Sequence, residues 1–504
     1  MLRKLFHKTD IKKILLIDPR GFGAGLNLGI GYVASALLKS NYDIKVIDCN
    51  NLPERLSQGP KLKLSGLQLG DWRVKIRRGL EWSPDAIAIA VNSFTQLAAY
   101  EVAQFCHENL GDDVLYLAGG PHLTVYKSKF MEKNHHLFDF GVIGEGEETL
   151  IDLLNNLDRP EAVKGITFWD HSQNQVVQTP DRPILLDLNA LPFPNFDYFD
   201  SVNTTDGLYN YQMVSSRGCP YECVFCSLIH TKRWRARSPE NVVAEIKMAR
   251  QKFRAQTVTF WDDNFTLHKD RVKKICDALI AEKWDLKFSL AGVRADLVDE
   301  ELVSKLKEAG CDGISMGIEE GDEEVFPFVK KGESLEQIAG AVRLVQSYKI
   351  PLSCYMITGL INSSYASFQR SLTYIEKLGV GAHWNIAFPL PLTALSDWAH
   401  ENGRFLMTVE EGFRLCMTSK NPPVVFDTPE YPKEQRLKAF YVGNLRCRSY
   451  DMVVGSRSGS FVGQALDIIE AVWKYDRERL WWHFSYLFKT FFYSILNGGR
   501  IKFA

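Results

Sequence analysis

The sequence has no long apolar run. Nowhere do about eighteen apolar residues follow one another, so no membrane-spanning helix is expected. The opening residues Met1-Leu2-Arg3-Lys4-Leu5-Phe6 pass straight into a polar turn, without the apolar core of a secretory signal. A reducing, cytoplasmic setting is therefore expected. An excess of either charge is missing too. Sixty Lys and Arg stand against 61 Asp and Glu, which argues against a nucleic-acid binder that works through global charge. No G-x-G-x-x-G fingerprint closes a strand, so a nicotinamide cofactor is not indicated. The tightest cysteine cluster has no fourth Cys or His at the spacing of a tetrahedral zinc module, although His230 lies four residues beyond it. What is present is globular: 504 residues, 45% hydrophobic and 24% charged, enough for about three domains.

That cluster is Ser215-Ser216-Arg217-Gly218-Cys219-Pro220-Tyr221-Glu222-Cys223-Val224-Phe225-Cys226. Thiolates are soft ligands, suited to zinc or to iron–sulfur clusters. Three of them would leave one iron of a 4Fe–4S cluster open. Three unrelated buried thiols are the bland alternative, against which stand the tight spacing and the interleaved Gly, Pro and aromatic residues. The C-x-x-x-C-x-x-C pattern with an aromatic before its last Cys resembles the radical S-adenosylmethionine (SAM) superfamily. The resemblance implies that Cys219, Cys223 and Cys226 hold the cluster and that Phe225 lies against the adenine of SAM. It also implies cleavage of SAM to a 5′-deoxyadenosyl radical that takes hydrogen from a substrate.

Before the cysteines, apolar runs at Ile14–Asp18, Ile44–Asp48, Ala86–Val91, Val114–Ala118 and Phe140–Ile143 alternate with helical stretches. This pattern predicts a doubly wound, Rossmann-like α/β domain with ligand at the carboxyl ends of its strands. The Pro-Arg-Gly opening, Leu28-Gly29-Ile30-Gly31-Tyr32, Gly119-Gly120-Pro121-His122 and Gly144-Glu145-Gly146-Glu147 resemble the cobalamin-binding domain that precedes many radical SAM barrels. The likeness runs over most of residues 11–157 and implies cobalamin contacts at Gly29, Gly119, Gly120 and Gly144. One departure stands out. The loop Asp18-Pro19-Arg20-Gly21-Phe22-Gly23 lacks the His of the Asp-x-His-x-x-Gly motif, so a retained but empty domain is the alternative. His122 reads equally as a ligand or as a hydrogen-bonding strand cap, and His135 and His136 as surface residues. Residues 158–205, punctuated by Pro180, Pro183, Pro192 and Pro194, read as a connecting segment.

Six further strands are expected between 206 and 395: Tyr211–Ser215, Thr257–Trp261, Leu286–Leu290, one ending in Ile318-Glu319-Glu320-Gly321, Leu352–Leu360 and Gly381–Phe388. They predict a partial (β/α)6 barrel with its chemistry at the carboxyl ends. By resemblance Asp262 and Asp263 meet the amino group of SAM, with a helix N-cap as the plain alternative for one of them. Arg294 could fork onto the SAM carboxylate or pair with Asp296 or Glu300 instead. Glu319 would contact SAM by the same likeness. After the fifth strand, Thr358-Gly359-Leu360-Ile361-Asn362 departs from the Gly-x-Pro-Gly-Glu-Thr loop of the family. Residues 396–504 are expected to be mainly helical. Their tail, from Trp473 to Phe503, is aromatic with basic flanks and reads either as an interfacial helix at a membrane or as a helix packed on the barrel.

The expected function is a radical SAM enzyme, with cobalamin-dependent methylation of an unactivated carbon as first reading. A cyclase, rearranging or oxidising enzyme without methyl transfer is the second, and a non-catalytic metal-binding protein the third. The expected partners are a small-molecule or lipid-like substrate and a reductant such as flavodoxin or ferredoxin, without nucleic acid. Peripheral membrane contact through the tail is the remaining expectation.

Overall fold

The computed structural model describes residues 11–21, 25–51, 56, 71–203, 205–227, 231–419, 421–450, 452, 461–479 and 481–483. Two compact units result: Met1–Pro220 with Leu228–Asp263 and Ala278–Phe288, and Tyr221–Ser227 with Asn264–Asp277 and Ser289–Ala504.

In the first unit, β1 (Lys13–Asp18), β2 (Asp43–Asp48), β3 (Ala86–Ala90), β4 (Leu115–Gly119) and β5 (Phe140–Val142) pair in parallel. Their sheet has the order β2-β1-β3-β4-β5-β6-β7. Buried on both faces, such strands read as continuous apolar runs, and β1 buries Ile14, Leu15, Leu16 and Ile17 almost completely. The last two strands, β6 (Ile166–Asp170) and β7 (Gln175–Gln178), are antiparallel and lie in the stretch read as connecting segment. Ile166-Thr167-Phe168-Trp169 is β-prone, and Asp170 turns the chain by accepting from the Ser172 and Gln173 amides. The prolines mark only the residues after this hairpin.

Close backbone approach shapes the first helix, Leu28–Lys39, capped by Asn27, whose side chain accepts from the Ile30 amide at 3.2 Å. A Cβ on Gly31 would stand 2.8 Å from the fully buried Phe196 ring and 3.1 Å from Pro194. Gly29, two residues earlier, meets nothing closer than 3.4 Å.

The second large sheet uses β8 (Asn210–Met213), then β11 (Thr257–Phe260), β12 (Lys287–Val293), β13 (Cys311–Glu319), β14 (Leu352–Thr358) and β15 (Gly381–Ile386), in the order β15-β14-β13-β12-β11-β8. Between β8 and β11, the short β9 (Ser216–Arg217) and β10 (Arg235–Ala236) pair antiparallel. Each of the six expected barrel strands is present. The helix Pro239–Lys252 starts as its sequence suggests, with Pro at its first position and the Ser238 hydroxyl accepting from the Asn241 amide.

The described residues beyond 395 in the second unit are mainly helical: Ala394–Asn402, Val409–Thr418, Lys433–Arg446 and Phe461–Tyr475. The helix Lys433–Arg446 packs along β15. Asn444 accepts from the Trp384 amide and donates to its carbonyl, both at 2.9 Å, and the Ser449 hydroxyl donates to Ala382 O. Arg436, 1% exposed, donates to Gly359 O at 3.2 Å and to Tyr431 O at 2.9 Å. Among the described residues no helix is long and apolar enough to cross a membrane. Trp473 and Trp481 are exposed, and the expected aromatic stretch from Phe484 onward lies outside the described residues.

Two substitutions in one helix should act in opposite directions. Gly29→Ala gains helix propensity and is expected to stabilise by up to about 1 kcal/mol. Gly31→Ala drives a Cβ into a ring that cannot move and is expected to cost about 1–3 kcal/mol. Thermal unfolding of both variants beside the parent chain checks the contrast.

Candidate active site

The cysteine loop begins where β8 ends, and two carboxylates beyond β11 hold its stem. Asp262, 4% exposed, accepts from the Ser215 amide at 2.7 Å, the Ser215 hydroxyl at 2.6 Å and the Ser216 hydroxyl at 2.5 Å. Asp263 accepts from the Gly218 amide at 2.8 Å. These carboxylates are thus engaged with the stem of the loop. Gly218 has φ +88°, and a Cβ there would lie 2.5 Å from Arg233 O and 2.8 Å from Thr231 O. Only glycine fits at this position. Cys219 follows, its amide donating to Thr231 O at 3.3 Å.

In the second unit the loop closes as a tight turn, with the Cys226 amide on Cys223 O at 3.1 Å. The Val224 amide donates to Val329 O, and Val224 O accepts from the Leu395 amide. Phe225 is half-buried against a cluster that includes Val329, Leu360, Ala387 and Leu395. None of the ten cysteines is in a disulfide. Cys219 and Cys223 are half-buried and Cys226 is exposed, whereas six of the others are buried. Burial pushes the thiols of Cys106, Cys276, Cys311 and Cys354 up to about 12, which leaves them poor ligands. Among the described residues no three His, Cys, Asp or Glu side chains are gathered as a metal site. The donor chemistry of the loop, three accessible thiols beside a glycine, nevertheless fits an iron–sulfur cluster.

The remaining SAM candidates share one buried charge network in the second unit. Arg294 forks onto Asp296 at 3.0 and 3.1 Å, lies 3.5 Å from Glu333 and stacks on the Tyr221 ring at 3.3 Å. One edge of its guanidinium is therefore filled by Asp296. Glu319 ends β13 with φ +70°, its carboxylate 3.9 Å from Lys331, which in turn is 3.6 Å from Glu333. Burial, with the nearby Glu333 charge and against the pull of Lys331, raises the Glu319 carboxyl to about 7. This acid can hold or release a proton near neutrality.

The four glycines expected to meet cobalamin line a single cavity of about 360 Å³ in the first unit, at the carboxyl ends of β1, β3, β4 and β5. Ala88, Ala90, Asn27, Asp18, Glu145, Glu147 and Arg217 complete much of its wall. Gly120 is dictated by the backbone: φ is +116°, and a Cβ would meet Val91 O at 2.9 Å. A Cβ on Gly119 would find its nearest neighbour at 3.8 Å, and one on Gly144 nothing within 4 Å. Bare backbone at these glycines, beside the polar side chains of Asp18, Asn27 and Glu145, suits a ligand that presses on the strand ends and hydrogen-bonds at its edge. Burial, and then the Asp48 charge, raises the Asp18 carboxyl to about 7 against the amides of Asn27 and Asn50. Among the described residues no histidine lines the cavity. His122 is buried with its ring on the Ser93 hydroxyl at 3.0 Å, and burial lowers it to about 4. This is the hydrogen-bonding role weighed for it.

A further set of residues escaped the sequence reading. Along β14 the side chains alternate, with Cys354, Met356 and Thr358 buried and Tyr355 40% exposed. His383 is the register partner of Tyr355 on β15 and stacks with it at 5.4 Å; Asn385 follows on the same face. Polar residues at alternate positions of a barrel strand were the available signal.

The arrangement is that of an enzyme with a ligand cradle on a parallel sheet, followed by a parallel barrel sheet whose first loop carries three thiols. Family models match accordingly: the B12 binding domain over residues 22–154 and the radical SAM superfamily over residues 213–375. The chain belongs to the radical SAM enzymes that carry a cobalamin-binding domain, and its cofactors are a 4Fe–4S cluster, SAM and cobalamin. It is 29% identical over 409 residues to an uncharacterized methyltransferase of Pyrococcus horikoshii, covering 79% of this chain and 85% of that one. It is 25% identical over 339 residues to the anaerobic magnesium-protoporphyrin IX monomethyl ester cyclase of Cereibacter sphaeroides, covering 62% and 53%. The radical SAM methyltransferase TsrM of Kitasatospora setae, solved with cobalamin and a 4Fe–4S cluster, shares the fold. The TM-score is 0.64 at 15% identity, over 78% of this chain and 75% of that one.

Two outcomes test this geometry. Gly218→Ala is expected to lose most of its iron, because the left-handed strain of roughly 1–2 kcal/mol adds to a clash with two carbonyls. Iron and sulfide analysis of the reconstituted variant checks it. The second concerns pH. Folding favours the neutral form of Glu319, so its stabilising contribution is full below its ordinary range and fades as pH rises through about 7. Glu319→Gln should flatten that part of the stability profile by about 1–3 kcal/mol, read as thermal midpoints between about pH 5 and 8 without SAM.

Proposed function

We propose that this chain is a cobalamin-dependent radical SAM methyltransferase that methylates an unactivated carbon of a small molecule. In this reading residues 1–157 form the cobalamin domain, whose sheet the β6–β7 hairpin extends, the rest of 158–205 the connection, 206–395 the barrel and 396–504 a helical region that completes it. The observation that carries the proposal is the glycine-floored cavity of the first unit, present in the same chain as a cysteine loop with a fixed stem. The near full-length match to a protein named as a methyltransferase supports it as well. When bound, the cluster supplies the electron that cleaves SAM, and cobalamin carries the methyl group.

The residues of the chain divide the remaining work. Cys219, Cys223 and Cys226 hold the cluster, while Asp262 and Asp263 act one step back by fixing the backbone that presents Cys219. Arg294 keeps the exit of β12 against the Tyr221 ring of the cysteine loop. Glu319 meets SAM as an acid near its midpoint at neutral pH. Phe225 offers a half-buried ring edge to the adenine. Gly29, Gly119, Gly120 and Gly144 leave the cradle free of side chains, and Asp18 and Asn27 offer hydrogen bonds at its edge. Tyr355, His383 and Asn385 present aromatic and hydrogen-bonding surface to the substrate. A reductant of the flavodoxin or ferredoxin class supplies electrons. A lipid-like substrate is the narrower reading, supported by the exposed Trp473 and Trp481.

The cyclase relative favours a second reading, radical chemistry without methyl transfer. Products separate the two. Anaerobic, cobalamin-loaded enzyme with SAM, dithionite and candidate substrates is expected to release both 5′-deoxyadenosine and S-adenosylhomocysteine. Sustained 5′-deoxyadenosine without S-adenosylhomocysteine would overturn methyl transfer in favour of the second reading.

A further inference from the structure

Arg217 lies two residues before Cys219 and is 6% exposed. Its guanidinium is divided between two carboxylates, with Nη1 donating to Glu145 at 3.1 Å and Nη2 to Glu147 at 2.6 Å. Its Cζ lies 4.9 Å from the centre of the Tyr32 ring, over the face of that ring. Glu145 is gripped from its other side by Arg235, at 2.8 and 2.9 Å, and Arg235 is the register partner of Arg217 across β9 and β10. Burial pushes the Glu145 carboxyl up, but Arg235 and Arg217 outweigh it and hold the group below its ordinary range. Two cations and two carboxylates thus close into one buried network.

That network has two faces. Glu145, Glu147 and Arg217 all line the cavity floored by Gly119, Gly120 and Gly144, so an occupant that fills the cradle meets them. On the other side, the Arg217 backbone belongs to the stem whose next amide, that of Gly218, is held by Asp263. A guanidinium fixed by two carboxylates transmits orientation, because its planar fork has little freedom once both arms are engaged. Stability alone is a weak reason for such a network, since desolvating several charges commonly offsets what their pairing returns.

We propose that Arg217 is a positioning residue that couples occupancy of the first-unit cavity to the geometry of Cys219. The inference rests on the reading that the cavity takes cobalamin. Coupling of this kind is reciprocal: an occupant that orders the arginine also orders the cysteine stem, and an ordered stem favours the occupant.

The full-length chain, purified anaerobically with its cluster, provides the test. Hydroxocobalamin binding is followed by visible absorption, and the electron paramagnetic resonance (EPR) spectrum of the reduced cluster is recorded with and without it. The parent chain is expected to bind cobalamin and to change its cluster spectrum on binding. Arg217→Met, read at saturating hydroxocobalamin so that any loss of affinity is overcome, should lose the spectral response. Arg217→Lys should recover part of it, because an ammonium can meet one carboxylate but not fork across two. Should Arg217→Met fail to retain iron, Glu147→Gln takes its place: the arginine and the Arg235–Glu145 pair stay, and the response is expected to fall to half or less. A response as large in these variants as in the parent overturns the inference. So does a parent that binds cobalamin without any change at its cluster, and in that case the cofactor reading stands. A parent that takes up no cobalamin overturns the cofactor reading and the coupling together.

Discussion

The placement of Cys219 depends on two adjacent carboxylates. Asp262 and Asp263 leave the end of β11 together, and between them they collect two backbone amides and two hydroxyls from Ser215, Ser216 and Gly218. A loop that must expose thiols cannot satisfy its backbone by a regular ladder. Charged acceptors supply what the ladder would have given, with bonds stronger than neutral ones. The absence of a side chain at Gly218 then lets the strand pass against Thr231 and Arg233. The precision of the loop is thus borrowed from a neighbouring strand end.

The two units repeat one device. In each, an arginine engages carboxylates and stands over a tyrosine ring: Arg217 with Glu145, Glu147 and Tyr32, and Arg294 with Asp296, Glu333 and Tyr221. Such groups are oriented before any ligand arrives, which is what a polar site needs if it is not to reorganise during reaction. Arg217 lines a cavity, and Arg294 meets Glu333, which also faces Lys331, so the same device serves different ends.

Much of this was legible in the sequence, for stated reasons. Parallel strands buried on both faces are apolar throughout, and the five runs from Ile14 to Ile143 correspond to β1–β5 within a residue or two. Gly119, Gly120 and Gly144 converge on one cavity because they close parallel strands at the edge where such sheets bind ligands. The hairpin β6–β7 was hidden by prolines that follow it. The partners of Asp262, Asp263 and Glu145 were hidden for a different reason. A carboxylate carries the same letter whether it meets a ligand, a helix end or a distant backbone, and only the folded chain selects among them. Tyr355 and His383 were missed because attention to strand ends passed over the alternation within the strands.

Asn444 and Ser449 satisfy backbone groups of β15, the outermost strand of its sheet, while Arg436 occupies the space above Gly359 that any side chain there would need. An unpaired outer strand is a template for association with other chains. The helix Lys433–Arg446 therefore acts as the seventh member of a six-stranded sheet, donating and accepting through side chains where a strand would use its main chain. A barrel excised at its last strand would carry an adhesive border, so the segment from Lys433 to Ser449 shields the catalytic fold from self-association as well as shaping it.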